Sequence, residues 1–233
     1  NEEKQYALRT AEISKFDLVT NMVQEFTELQ GIMGEIYALH HGENSTVAQA
    51  IREHYMPLQA QSELPETIPG AIVSLADKLD TIVGFISVGL MPSGSQDPYG
   101  LRRQAIGVLR ILHDQNWKVS LESIIDIVIQ QYGEQGHSVE RSIQEKLFTF
   151  FKQRLNFILK EMDIEPDVIE SVLMNEIGIL NYTINKAILL NEKRHDESFK
   201  DVQEALSRVL NLASSQKNEA DKIQTDLFET DSE

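Results

Sequence analysis

Apolar residues recur every three or four positions along most of the chain, and nowhere do they alternate with polar ones over the length of a strand. Residues 4–26 carry Leu8, Ala11, Ile13, Phe16, Val19, Met22, Val23 and Phe26 at this spacing. Leu29, Ile32, Met33, Ile36 and Tyr37 continue it into a second helix that Gly42 ends. Val47, Ala48, Ile51 and Tyr55 predict a short third helix, with Asn44 or Ser45 as its cap. Pro57, Pro65 and Pro69 punctuate a loop over 57–70, and 72–90 predicts a buried helix, apolar on most faces.

The second half reads the same way. Asp97 followed by Pro98 is a helix-start signal, because a carboxylate can accept free N–H groups and proline fits the first turn; that helix is expected to run from Pro98 to about His113. Further helices are expected from Ser120 to near Gly133, over 140–162, from Pro166, over 177–190 and over 199–213. The pattern predicts an all-α protein. The main division is expected near 115–120, with a softer one near 192–200, and the polar stretch 217–233 reads as a frayed end or a cut within a domain.

Composition narrows the class. No apolar run approaches the about 18 residues that a membrane helix needs, and no basic-then-apolar leader opens the chain. The first residue is Asn1 and both ends read as cuts within a longer protein. There is no cysteine, which excludes disulfides and thiolate chemistry and fits a reducing compartment. The 21 Lys and Arg against 37 Asp and Glu leave a net charge of −16, which repels phosphate backbones at long range but leaves room for a local basic face.

One candidate for chemistry is a metal site of the HD-phosphohydrolase type, in which a His, a His-Asp pair and a distant Asp hold a divalent ion that activates water. Glu53-His54, a Pro-rich loop and then Ala76-Asp77-Lys78-Leu79-Asp80 resemble the second half of that pattern. The first half is missing: 26–31 reads Phe-Thr-Glu-Leu-Gln-Gly, and the His-Asp pairs at 113–114 and 195–196 come after Asp77, in the wrong order. His54, Asp77 and Asp80 are therefore degenerate positions. The plainer expectation is that His54 and Asp77 are buried polar groups bonded to each other or to loop backbone, with Arg52, Glu53 and Lys78 as surface charges. His40-His41 reads as a polar helix end, since neighbours on a helix point about 100° apart.

A second candidate is the stretch 92–110. Its Gly/Ser loop precedes a helix, but no Lys follows the glycine as a nucleotide loop requires, and Asp97 occupies the helix start with negative charge. The helix beyond is locally basic: 98–118 holds Arg102, Arg103, Arg110 and Lys118 against Asp114 alone. Arg103 and Arg110, seven apart, share a face that could meet RNA phosphates; pairing with carboxylates such as Asp77 or Asp80 is the plainer alternative. Lys152 and Arg154 sit among Phe148, Phe150, Phe151 and Phe157, where aromatics interleaved with cations can stack bases, although at helical spacing such aromatics more often form core.

Four segments carry a specific resemblance. Residues 15–34 read K-F-D-L-V-T-N-M-V-Q-E-F-T-E-L-Q-G-I-M-G, and A-I-R-E-H-Y-M-P (50–57), A-D-K-L-D-T-I-V-G (76–84) and P-S-G-S-Q-D-P-Y-G-L-R-R-Q-A-I-G-V-L-R (92–110) follow in order. Together they resemble the β-subunit family of bacterial α2β2 glycyl-tRNA synthetases. Beyond residue 115 the likeness thins to F-K-Q-R-L (151–155) and S-R-V-L-N-L (207–212); Phe16, Thr27 and Ser207 stand where the family has Ala, Pro and Lys, and the last removes a positive charge.

The resemblance implies an HD-like helical domain with an incomplete metal set over 1–115, a helical connecting region over 116–195, and the truncated start of an anticodon-binding helical domain over 196–233. It implies a cytoplasmic subunit fragment of a glycine–tRNA ligase, without catalytic residues or a metal of its own, contributing tRNA binding and subunit assembly. Adenylation and transfer, with ATP and Mg, belong to the α subunit. The implied partners are that subunit, tRNA(Gly) and the remaining β domains, with no membrane. Arg102, Arg103, Arg110, Lys152, Arg154 and Arg208 are the candidate tRNA contacts. The alternatives are a metal-dependent HD-type phosphohydrolase and a purely structural helical scaffold.

Overall fold

A computed structural model describes residues 1–137 and 142–215. Among them every regular element is helical, with no strand and only two isolated bridges. The helices are α1 (Glu2–Ile13), α2 (Asn21–Glu25), α3 (Ile32–His40), α4 (Ser45–Glu53), α5 (Ile68–Ser87), α6 (Leu101–Asp114), α7 (Leu121–Glu134), α8 (Ser142–Glu161), α9 (Pro166–Leu173), α10 (Leu180–Lys193) and α11 (Glu197–Ser215). Among the described residues no helix is long and apolar enough to cross a membrane.

Several helix starts obey the capping chemistry. The Asn44 side chain accepts the N–H of Thr46, Thr67 that of Gly70 and Ser120 that of Ser123, while Pro166 opens α9, where its missing N–H costs no bond. Gly42 follows α3 with φ +84°, a left-handed turn into open space.

Two expected helices are redrawn. The apolar period over 4–26 does not make one helix: α1 stops at Ile13, Lys15 takes a left-handed backbone (φ 65°), a 3-10 turn covers Phe16–Val19, and α2 begins after Thr20. The cause is Asp17, which is fully buried and accepts the N–H of Gly31 at 2.6 Å and the hydroxyl of Tyr55 at 3.0 Å. A buried carboxylate needs such donors, and reaching them breaks the helix. The helix expected from Pro98 starts at Leu101 instead; Asp97 still caps it, accepting the N–H groups of Leu101 (2.8 Å) and Arg102 (2.9 Å) across the turn at Gly100. The stretch 217–233 lies outside the described residues.

The chain divides into two compact units, Asn1–Ile188 and Leu189 onward, and the boundary falls within α10. In the first unit α5 is the central element, packed against α1, α4, α6, α7 and α8. Its Leu79, Ile82, Val83 and Ile86 are buried with Ile51 of α4, Val108 and Leu112 of α6, and Phe151 and Leu155 of α8. Within this unit α7 and α8, which follow residue 115, thus pack on the same central helix as α1, α4 and α6, which precede it. In α3 the period misleads: Ile32, Ile36 and Leu39 are exposed, and the helix buries Gly34 and Ala38. The second unit contains α11, whose Val202, Leu206, Val209 and Leu210 are exposed.

Candidate functional site

The joint between α4 and α5 holds most of the polar groups singled out from the sequence. His54, at the end of α4, is fully buried; its Nδ1 lies 2.5 Å from the Ile51 carbonyl oxygen of its own helix and its ring stacks on Tyr55. Burial holds its pKa below the usual histidine value. His54 Nε2 is buried with no hydrogen-bond partner among the described residues. His54 is thus buried, but its bond goes to its own helix rather than to loop backbone or to Asp77, which is only half-buried and whose carboxylate pairs with Lys15. Asp80 is exposed, and its carbonyl accepts the Tyr132 hydroxyl at 3.0 Å.

Glu53 and Lys78 are not surface charges. Glu53 is 2% exposed, and its carboxylate accepts the N–H groups of Glu66 (3.2 Å) and Thr67 (3.0 Å), the Thr67 hydroxyl and the Gln49 amide (2.8 Å). Lys78 is 4% exposed; its ammonium donates to the Met56 carbonyl and the Ser74 hydroxyl, both at 2.7 Å, and lies 3.4 Å from the His54 carbonyl oxygen. Burial pushes its pKa down to about 8. Apart from Gln49 on α4 and Ser74 on α5, the partners of both side chains belong to residues 54–67 between the two helices, so the pair fastens a segment that has no regular structure of its own.

These commitments decide the fit of a divalent metal. A metal beside Asp77 would face the Lys15 ammonium that already holds that carboxylate and the buried ammonium of Lys78 on the next residue. Two cations at that distance oppose a third. Among the described residues no three His, Cys, Asp or Glu side chains converge as ligands. The residues do not fit a metal.

The basic helix α6 spreads its cations over different tasks. Arg110 donates to the carbonyls of Ala60 (2.6 Å) and Ser62 (3.0 Å), so its partners are loop carbonyls rather than the carboxylates considered from the sequence. Arg102 donates to the Gly94 carbonyl at 2.7 Å. Arg103 is exposed and makes no hydrogen bond or ion pair among the described residues. It lines a cleft of about 370 Å³ that Lys15, Tyr55, Asp77 and Lys78 also border.

On α8, Phe150 and Phe151 are core while Phe157 is half exposed. Arg154 is 9% exposed; it donates to the Phe150 carbonyl at 3.2 Å, its guanidinium sits 4.0 Å from the Phe150 ring centre, and burial lowers its pKa. That leaves Arg154 no face for a phosphate. Lys152, half-buried beside a groove between α8 and α9, makes no ion pair among the described residues. In the second unit Arg208 is exposed and 3.5 Å from Glu204, one turn earlier on α11.

Residues 2–174 match the family model described as the glycyl-tRNA synthetase beta subunit. The chain belongs to that family. It is 50% identical to the glycine–tRNA ligase beta subunit of Oceanobacillus iheyensis over 100% of this chain and 34% of that protein. The beta subunit of Bacillus subtilis is 47% identical over 97% of this chain and 31% of its own length, and that of Listeria monocytogenes (serovar 1/2a) 41% over 100% and 34%. The chain thus spans about a third of the length of these relatives.

In this member of the glycyl-tRNA synthetase beta-subunit family, the stretch 15–34 has a packing reason for its composition. Asp17 joins Gly31 and Tyr55 through its carboxylate. A Cβ at Gly34 would stand 2.8 Å from Ile51 Cγ2 and 3.3 Å from Asp17 Cγ, so only glycine lets α3 approach α4 this closely. In the sequence Asp17 carries one signal, a lone acid set among Phe16, Leu18 and Val19.

Proposed function

We propose that this chain is part of the β subunit of a bacterial glycine–tRNA ligase, where it contributes to tRNA binding and subunit assembly for the ATP-dependent charging of tRNA with glycine. The observation that carries this reading is membership of the beta-subunit family over residues 2–174. The relatives are named as the beta subunit of a glycine–tRNA ligase, which supports an α subunit and tRNA(Gly) as partners; the remaining β domains as further partners and a cytoplasmic setting belong to the same proposal. Adenylation and transfer, with ATP and Mg, are assigned to the α subunit. In this scheme 1–115 is an HD-like domain that has lost its metal set, 116–195 connects, and 196–233 begins the anticodon-binding helices.

The side-chain chemistry supports a binding role. Glu53, His54 and Lys78 are bonded to backbone groups and Asp77 is paired with Lys15, so no two of these four side chains are joined as an acid–base pair. Of the six candidate tRNA contacts, Arg103 and Lys152 keep their charges uncommitted among the described residues, so they lead the ranking.

Cross-linking tRNA(Gly) to the intact α2β2 enzyme and mapping the adducts tests the reading. Adducts within 92–118 or 148–213 are expected. Their absence, with adducts elsewhere in the β subunit, would leave this segment a scaffold that never touches RNA.

A further inference from the structure

The cleft beside Arg103 has two unlike walls. One is cationic: Lys15 and Arg103 face it, with Lys78 buried behind. Asp77 is the one carboxylate in the lining, so the cleft is net positive in a chain of net charge −16. The other wall is apolar: Leu18 and Leu58 are 40% and 63% exposed, next to Pro57 and the Tyr55 ring.

Two backbone features support the cationic wall. Lys15 holds a left-handed conformation that residues with a Cβ rarely adopt, and in it the ammonium reaches Asp77 at the cleft. Gly100 also has a positive φ, and a Cβ there would stand 2.8 Å from Arg103 Nη2; the guanidinium lies over the space the glycine leaves.

We propose that this cleft receives one unpaired nucleotide of an RNA chain, its phosphate between Arg103 and Lys15 and its base against Leu18, Pro57 and Leu58. The inference rests on the RNA-binding reading above. A volume of about 370 Å³ suits one nucleotide rather than a helix groove. Stacking on apolar and aromatic surface beside a cation is how single-stranded RNA is held, and a base inside a duplex could not reach the apolar wall. A nucleoside triphosphate carries the same phosphate chemistry but more charge than one free guanidinium and one shared ammonium can match.

The test uses the full-length β subunit with its α partner, and fluorescence anisotropy with a labelled single-stranded RNA hexamer, a hairpin of paired bases, and ATP as competitor. Arg103→Ala is expected to weaken hexamer binding roughly five- to tenfold and to reduce the slope of log K against log salt by about 0.7. Leu58→Ser, at an exposed position, should weaken the hexamer and leave the hairpin unchanged. Asp77→Asn, which removes the carboxylate that competes for Lys15, should tighten hexamer binding.

Unchanged hexamer affinity and slope in Arg103→Ala, while the wild-type enzyme still yields tRNA adducts in this segment, overturns the cleft and spares the broader reading. Displacement of the hexamer by ATP in the wild type, lost in Arg103→Ala, would assign the cleft to a free nucleotide and overturn the RNA source. An enzyme whose tRNA adducts avoid the whole segment removes both readings.

Discussion

The Lys78 ammonium donates to the Met56 carbonyl oxygen at 2.7 Å, across a sequence separation of 22 residues. A charge on the middle of a helix thereby closes the end of another. Replacing Lys78 by Met keeps the length, leaves the His54 carbonyl without its side-chain donor and leaves the Met56 carbonyl only the Ser74 hydroxyl. Burying unpaired acceptors costs about 1–3 kcal/mol, so Lys78→Met should lower stability by that amount in urea unfolding.

The same residue predicts a pH dependence. Burial places the folded pKa at about 8, whereas an exposed lysine titrates near 10.5. Between those values the unfolded chain binds a proton that the folded chain has released, so unfolding takes up a proton and is disfavoured as the pH rises. The stability of the wild type should therefore climb relative to Lys78→Met from about pH 8 to about pH 10.5, at up to about 1.4 kcal/mol per pH unit. Equal pH profiles for the two proteins would mean that the carbonyls hold the proton as firmly as water does.

Glu53 fastens the other end of the same loop through the N–H groups of Glu66 and Thr67. Hydrogen bonds to a charged acceptor contribute about 1.5–3 kcal/mol. Glu53→Ala should cost at least one such bond and expose the loop to proteolysis before α4 or α5 is cut. Limited digestion followed by mass mapping measures this.

Two glycines should respond to alanine with opposite signs. At Gly34 the new methyl would stand 2.8 Å from Ile51 Cγ2, and overpacking of this kind costs about 1–3 kcal/mol. At Gly133, within α7, a Cβ meets nothing within 4 Å, and alanine should stabilise by about 0.5–1 kcal/mol. Thermal melts of both variants give the comparison directly.

Arg154 and Arg103 should also separate. Arg154→Leu removes a bond to the Phe150 carbonyl and a contact with its ring, so it should lower the melting temperature and leave the salt dependence of tRNA binding intact. Arg103→Ala should do the reverse. A variant of Arg154 that alters the salt slope without loss of stability would return that residue to the RNA face.

What was legible in the sequence follows from how local each interaction is. Asn44, Ser120 and Pro166 act on N–H groups within the next few residues, and those helix starts could be read directly. Lys15 could not: the apolar period runs on through it, and the break is forced by donors at Gly31 and Tyr55, 14 and 38 residues beyond Asp17. Glu53, Lys78 and Arg110 carry charges that on a helix normally mean solvent, yet their partners are backbone groups of the 54–67 loop, which leave no trace in residue type. For the same reason Lys78, which stands between Asp77 and Asp80 in the sequence, reads as a surface charge although it is buried.

α5 touches five of its neighbours, from α1 at the start of the chain to α8, and the loop that leads into it is fastened from both sides. A body strung on one spine has few ways to come apart piecemeal, since loosening any layer exposes the same central surface. Its amides should be the last to exchange with heavy water, and residues as distant as Ala7 and Leu159 should lose protection in a single step.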